Sequence, residues 1–153
     1  MSDFQFNNNT KYKVRPLILK KVSHIFFKVA KLGYEAEYSL AFVKAKDIKK
    51  LNKIYRNKDS VTDVLSFAEE DDFIEAQKDK KYLGEILICP TKAKDQAKEY
   101  GWNFEKEIIR LLIHGLSHLI GYDHENVSKK KAEEMFSFEK KLMIAVDKIL
   151  NCK

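Results

Sequence analysis

A chain of 153 residues with 44% apolar side chains has enough material for one substantial core, which excludes wholesale disorder. No apolar run is long enough to span a bilayer, and no basic-then-apolar segment marks a signal peptide, so a soluble, cytoplasmic protein is expected. The net charge of +6 favours an anionic partner such as nucleic acid, but it is nearly all lysine in a chain rich in Asn, Ile and Tyr, a bias genome composition alone can produce.

In chain order, Phe4 and Phe6 alternate with polar neighbours and are followed by Tyr12 and Val14, which predicts a first edge strand broken at Asn7, Asn8 and Asn9. Pro16 suits the first position of a helix, and Ile18, Val22, Ile25, Phe26 and Val29 recur at helical spacing until Gly33. His24 lies beside that face and reads as structural. Tyr38, Leu40 and Phe42 alternate with Ser39, Ala41 and Val43, the pattern of a half-buried strand. Asp47 is the expected cap of a helix whose apolar stripe is Ile48, Leu51, Ile54 and Tyr55. Arg56 falls at its C-terminal end, where a cation is favourable. Val61 to Phe67 is β-rich, and residues 69–81 read as a charged surface loop.

Tyr82 to Cys89 is the most apolar strand, expected to be central, interrupted at Gly84 and Glu85 and stopped by Pro90. Cys89 reads as a small buried hydrophobe and Cys152 as a frayed terminal residue; neither has a Cys or His at ligand spacing. Thr91 is the expected cap of a helix carrying Ala93, Ala97 and Tyr100 up to Gly101. Asn103 would cap the next, in which Phe104, Ile108, Leu111, Leu112, Leu116 and Leu119 make most of the circumference apolar, so that helix should be buried. Ser128 would cap a last helix with Met135, Phe138, Leu142, Ala145 and Ile149 facing inward. With no repeats and no linker, residues 1–153 are expected to form a single α/β (α+β) domain. About four strands would make a mixed sheet with packed helices, and the end of the buried helix would carry a metal site.

That site is read from residues 114 to 124, which hold three of the four histidines. His114 and His118 are four apart, so on a helix their rings leave one face a turn apart. Gly121 lets the helix stop in a left-handed turn and the chain bring His124 back. The pattern H-x-x-x-H-x-x-G-x-x-H has the spacing of the metzincin zinc signature. Three imidazoles fill three corners of a zinc tetrahedron and leave the fourth to water, which favours an open, catalytic site. A closed structural site, with Asp123, Glu125 or a distant Cys as fourth ligand, stays open as an alternative. So does a metallopeptidase, although Gly115 stands where a zinc peptidase carries its general-base Glu.

Three segments together resemble the YbeY family of bacterial endoribonucleases. They are Leu51-Asn52 through Tyr55-Arg56 into Thr62-Asp63-Val64-Leu65-Ser66-Phe67, then Leu83-Gly84-Glu85-Ile86, then His114-Gly115 through His118-Leu119 to Gly121-Tyr122-Asp123-His124. Ser117, Ala68 and Glu85 stand where the family usually has Leu, Pro and Asp, and none of these removes a presumed ligand. The resemblance implies one zinc ion at His114, His118 and His124, with Arg56 as the arginine that activity needs. It implies cleavage of single-stranded RNA in 3′-end maturation of small-subunit ribosomal RNA and in ribosome quality control. RNA and the small ribosomal subunit are then the partners, with no DNA and no membrane. Arg56 would grip the scissile phosphate through two N–H groups. The attacking group would be either a zinc-activated water or the RNA 2′-hydroxyl. Asp123 either orients a ligand histidine by accepting its second N–H or serves as a turn residue. A non-catalytic, zinc-stabilised RNA-binding module is the remaining alternative.

Overall fold

The computed structural model describes residues 3–32, 34–69 and 80–150. In chain order these form β1 (Asp3–Asn8), α1 (Pro16–Ala30), β2 (Glu35–Phe42), α2 (Ala45–Arg56) and β3 (Val64–Ala68). Then come β4 (Lys80–Ile88), α3 (Pro90–Tyr100), α4 (Phe104–Leu119) and α5 (Lys129–Leu150). The strands make one mixed sheet in the order β1-β2-β4-β3, with β1, β2 and β4 parallel and β3 antiparallel to β4. Gly33, most of the predicted 69–81 loop and Cys152 lie outside the described residues. Among those described, no helix is long and apolar enough to cross a membrane.

Period-two alternation decides which side chains face which layer. Ala36, Tyr38, Leu40 and Phe42 of β2 are buried with Ile86 and Ile88 of β4 in the larger core, which α1, α4 and α5 cover. Leu65, Leu87, Cys89 and Val43 point to the opposite face and pack on Ile48 of α2 in a smaller cluster. The sheet is therefore thickly covered on one face and thinly on the other. Cys89 is the buried hydrophobe expected of it, and burial raises its thiol pKa.

The helices start largely where the residue chemistry predicts. Pro16 opens α1. The Asn103 side chain accepts from the Lys106 N–H at 2.8 Å, and Ser128 Oγ accepts from the Lys131 N–H at 3.2 Å. Two predicted caps are displaced. Lys44 occupies the cap position of α2, so Asp47 lies inside the first turn, where its charge still suits the helix dipole. Cys89 and Pro90 begin α3, which leaves Thr91 already helical.

Three inward faces also differ from expectation. On α1 the buried set includes Leu19 and Ser23, and Ser23 Oγ bonds the Leu19 carbonyl and the Tyr38 hydroxyl. His24 is exposed. On α2, Ile54 is 71% and Tyr55 64% exposed, while Asn52 is buried and donates to the Ser60 carbonyl at 3.0 Å. On α5, Val146 is buried and Ile149 is exposed. Periodicity marks an apolar stripe but says nothing of how far the neighbouring layer reaches along it.

Candidate metal centre

Helix α4 is the platform. Ten of its residues are buried, and at Gly115 it lies close against the sheet: a methyl group added there would sit 2.9 Å from Ile86 Cγ2. The position where a zinc peptidase carries its glutamate is thus pressed against β4, with no room for a longer side chain. Ser117, a departure from the usual Leu, is fully buried and satisfies its hydroxyl on the Ile113 carbonyl at 2.8 Å. His114 and His118, one turn apart, project from the helix into a cleft.

The bend that follows delivers the third ring. Gly121 has φ +106°, a conformation side-chain-bearing residues rarely adopt, and the Gly121 and Tyr122 N–H groups bond back to the His118 and Ser117 carbonyls at 3.0 Å each. Tyr122 stacks on Phe138 of α5 with centroids 4.6 Å apart. Asp123 Oδ1 accepts from the backbone N–H of His124 at 2.7 Å and of Glu125 at 3.1 Å. These bonds, that to Glu125 foremost, lower the Asp123 pKa. They are the bonds of a turn residue.

As a result His124 faces His114 and His118, with ring centroids 5.0 and 5.2 Å away, and one ring nitrogen of each lies within 4.8 Å of the others. The Nε2 atoms of His114 and His118 are 3.2 Å apart. On its far side His114 places Nδ1 2.9 Å from Glu139 Oε2 of α5. A carboxylate there accepts a hydrogen bond from Nδ1–H, which keeps the proton on that nitrogen and leaves the Nε2 lone pair turned toward the other rings. Burial, and after it the neighbouring His114 and His124, lowers the His118 pKa and so favours the neutral imidazole that ligates metals. Glu139 had no signal in the sequence, since it sits 25 residues from His114 on another helix and in no motif.

Arg56, the last residue of α2, lines the same cleft of about 310 Å³, with Lys58, Asp63, Ser66 and Glu125. Among the described residues no carboxylate lies within ion-pair distance of Arg56, so its guanidinium is available to an anion.

A mixed α+β sheet carrying three converging imidazoles at the end of a buried helix defines a protein with a site able to hold one metal ion. The family model for Endoribonuclease YbeY matches residues 4–147, and the chain belongs to that family. It is similar to Endoribonuclease YbeY of Staphylococcus carnosus, 47% identical over 118 residues covering 76% of each chain. It is 53% identical to that of Macrococcus caseolyticus over 97 residues, covering 61% of this chain and 62% of the other. The solution structure of TM1509 from Thermotoga maritima superposes with a TM-score of 0.64 at 30% identity, covering 97% of this chain and 91% of that one.

Proposed function

We infer that this chain is a metal-dependent endoribonuclease that cuts single-stranded RNA, with zinc held by His114, His118 and His124 and the scissile phosphate held by Arg56. The observation that carries the reading is the guanidinium of Arg56, without an ion-pair partner among the described residues, in the cleft that the three imidazoles share. Membership of an endoribonuclease family supports RNA as the substrate. The crowding of Gly115 against Ile86 weighs against a peptidase, which would need a general base there.

When bound, a zinc ion supplies Lewis acidity to a phosphoryl oxygen and acidifies a water. The residues of the chain do the remaining work. Arg56 offers two N–H groups in a fixed fork that matches a phosphate, and it stabilises the negative charge that grows on the phosphoryl oxygens. Glu139 fixes the tautomer of His114. The buried helix holds the first two rings, and the Asp123 turn aims the third. Whether the attacking oxygen is water or the RNA 2′-hydroxyl is decided by a substrate with a 2′-deoxy sugar at the cut: unchanged cleavage excludes the hydroxyl route.

In the cell the activity belongs to 3′-end maturation of small-subunit (16S) ribosomal RNA and to ribosome quality control, in the cytoplasm. Depleting the chain should leave 3′-extended 16S RNA in the small subunits. The deciding test on purified protein is cleavage of single-stranded RNA before and after chelation, with elemental analysis of the same preparation. Cleavage that vanishes on chelation and returns with zinc is expected. Arg56→Ala should abolish cleavage with fold and metal content intact. Intact processing by that variant would favour the non-catalytic RNA-binding module instead.

A further inference from the structure

Backbone pairing leaves one strand edge beside the imidazoles. Where β3 meets β4, the Asp63 carbonyl accepts from the Cys89 N–H, and the Glu69 N–H donates to the Leu83 carbonyl, each at 2.8 Å. Ladder bonds alternate along an antiparallel pair, so in this register residues 63, 65, 67 and 69 bond to β4. Val64, Ser66 and Ala68 turn their N–H and C=O groups the other way, and β3 is the outermost strand on that side. The Val64 N–H is already taken by Asp63 Oδ1 at 2.8 Å. Ser66 keeps both backbone groups unclaimed by any described residue, and it lines the cleft with Arg56 and the three histidines.

A second depression, of about 530 Å³, adjoins this one and shares Arg56, Lys58, Ser66 and Glu125 with it. Tyr55 stands in its wall, 64% exposed, with its ring set edgewise on Phe67 at 5.1 Å between centroids. An aromatic ring held by a neighbour and left open to solvent is a stacking platform for a base.

Building on the ribonuclease reading, we propose that the outer edge of β3 at Ser66, with Tyr55 beside it, binds an unpaired nucleobase next to the scissile phosphate. An outward-facing strand residue offers one donor and one acceptor side by side. Every nucleobase carries a neighbouring donor and acceptor on its Watson–Crick edge, so this pair accepts any base. It rejects a duplex, in which those edges are already bonded, so selection falls on strandedness and not on sequence. Backbone donors lose no side-chain rotamers on binding, which suits a small site. Arg56 and Lys58 remain for the phosphates.

The test compares single-stranded oligouridylate with the same oligomer made of N3-methyluridine, whose methyl group blocks the Watson–Crick edge. Zinc-loaded protein is assayed for cleavage, and binding is followed by fluorescence anisotropy. Wild type should bind and cut the methylated oligomer about tenfold less well. Ser66→Pro removes the outward N–H without breaking a ladder bond. It should show the same loss on plain oligouridylate and no further loss on the methylated one, with melting temperature and metal content unchanged. Ala68→Pro, one outward position along and beyond the cleft, should stay within about threefold of wild type. Tyr55→Ala should weaken binding of both oligomers about tenfold. Equal binding and cutting of the two oligomers by wild type overturns the proposal, as does a folded Ser66→Pro with wild-type efficiency. Should Ser66→Pro fail to fold, the methylated oligomer on wild type decides alone. If wild type cuts neither oligomer, the ribonuclease reading fails, and the anisotropy difference still judges the edge.

Discussion

Helix α4 carries two polar clusters along one side, seven residues and so two turns apart. The first is closed. Glu107, fully buried, accepts from Trp102 Nε1 at 3.1 Å, Gln96 Nε2 at 2.6 Å, and Arg110 Nε and Nη2 at 2.8 and 2.6 Å. Gln96 also donates to Asp63 at 3.2 Å, and Arg110 lies over the Tyr100 ring. The second cluster, at His114 and His118, is open: its ring nitrogens converge on one another, and the nearby cation Arg56 has no described partner. A cluster whose members satisfy one another ties elements together. One whose members share a common need marks where a ligand belongs.

The sharpest break of that contrast is His118→Ala. It should cut metal affinity by more than about 100-fold, beyond what loss of an outer partner costs, and take RNA cleavage with it while the fold survives. Elemental analysis and circular dichroism on one preparation check both halves. Next comes Glu107→Ala, which leaves the half-buried Arg110 charge only Asp63 at 3.9 Å and should cost up to about 3–5 kcal/mol in denaturant unfolding, with metal stoichiometry of the folded fraction unchanged. If metal is lost there as well, the two clusters are one unit.

Glu139→Ala tests whether the open cluster has a hidden closed half. Its expected cost is about 10–100-fold in metal affinity, read by competition with a chromophoric chelator, and no change would remove Glu139 from the site. The smallest effect is on pH. With metal chelated, burial holds the His118 pKa below its ordinary 6.5, so the unfolded chain takes that proton before the native one does. The His118 contribution to stability should therefore be fully present above pH 6.5 and be lost as pH drops below it. His118→Ala should lessen that loss, and titration of the His118 ring by NMR should give a midpoint under 6.5.

Much of this architecture was legible before any coordinates. Alternation located β2, a continuous apolar run located β4, an apolar circumference located the buried helix, and Pro16, Asn103 and Ser128 marked helix starts through chemistry local to a turn. The exposed Ile54, Tyr55 and Ile149 share a cause, whereas the caps expected at Asp47 and Thr91 fell inside the first turns of their helices. The exposure of those three depended on where a neighbouring layer ends, which is a property of assembly and not of the segment. Arg110 is one of three arginines in a lysine-rich chain, yet its role in the closed cluster needed α3, α4 and Asp63 just before β3 together.

His114, His118, Gly121 and His124 form a short-range pattern, because helix pitch and one left-handed residue suffice to bring their rings together within eleven residues. Nothing local could reveal Glu139, the crowding of Gly115 by Ile86, or the outward turn of Ser66. Each of these arises where chain segments remote in sequence are packed side by side: a carboxylate from α5 against a ring of α4, a strand under a helix, a ladder with bonds on one side only. The three-histidine cluster was written along the chain. Its outer support, its shape and its proposed grip on RNA came from packing, since long-range contacts leave no periodicity for a reader of the sequence to find.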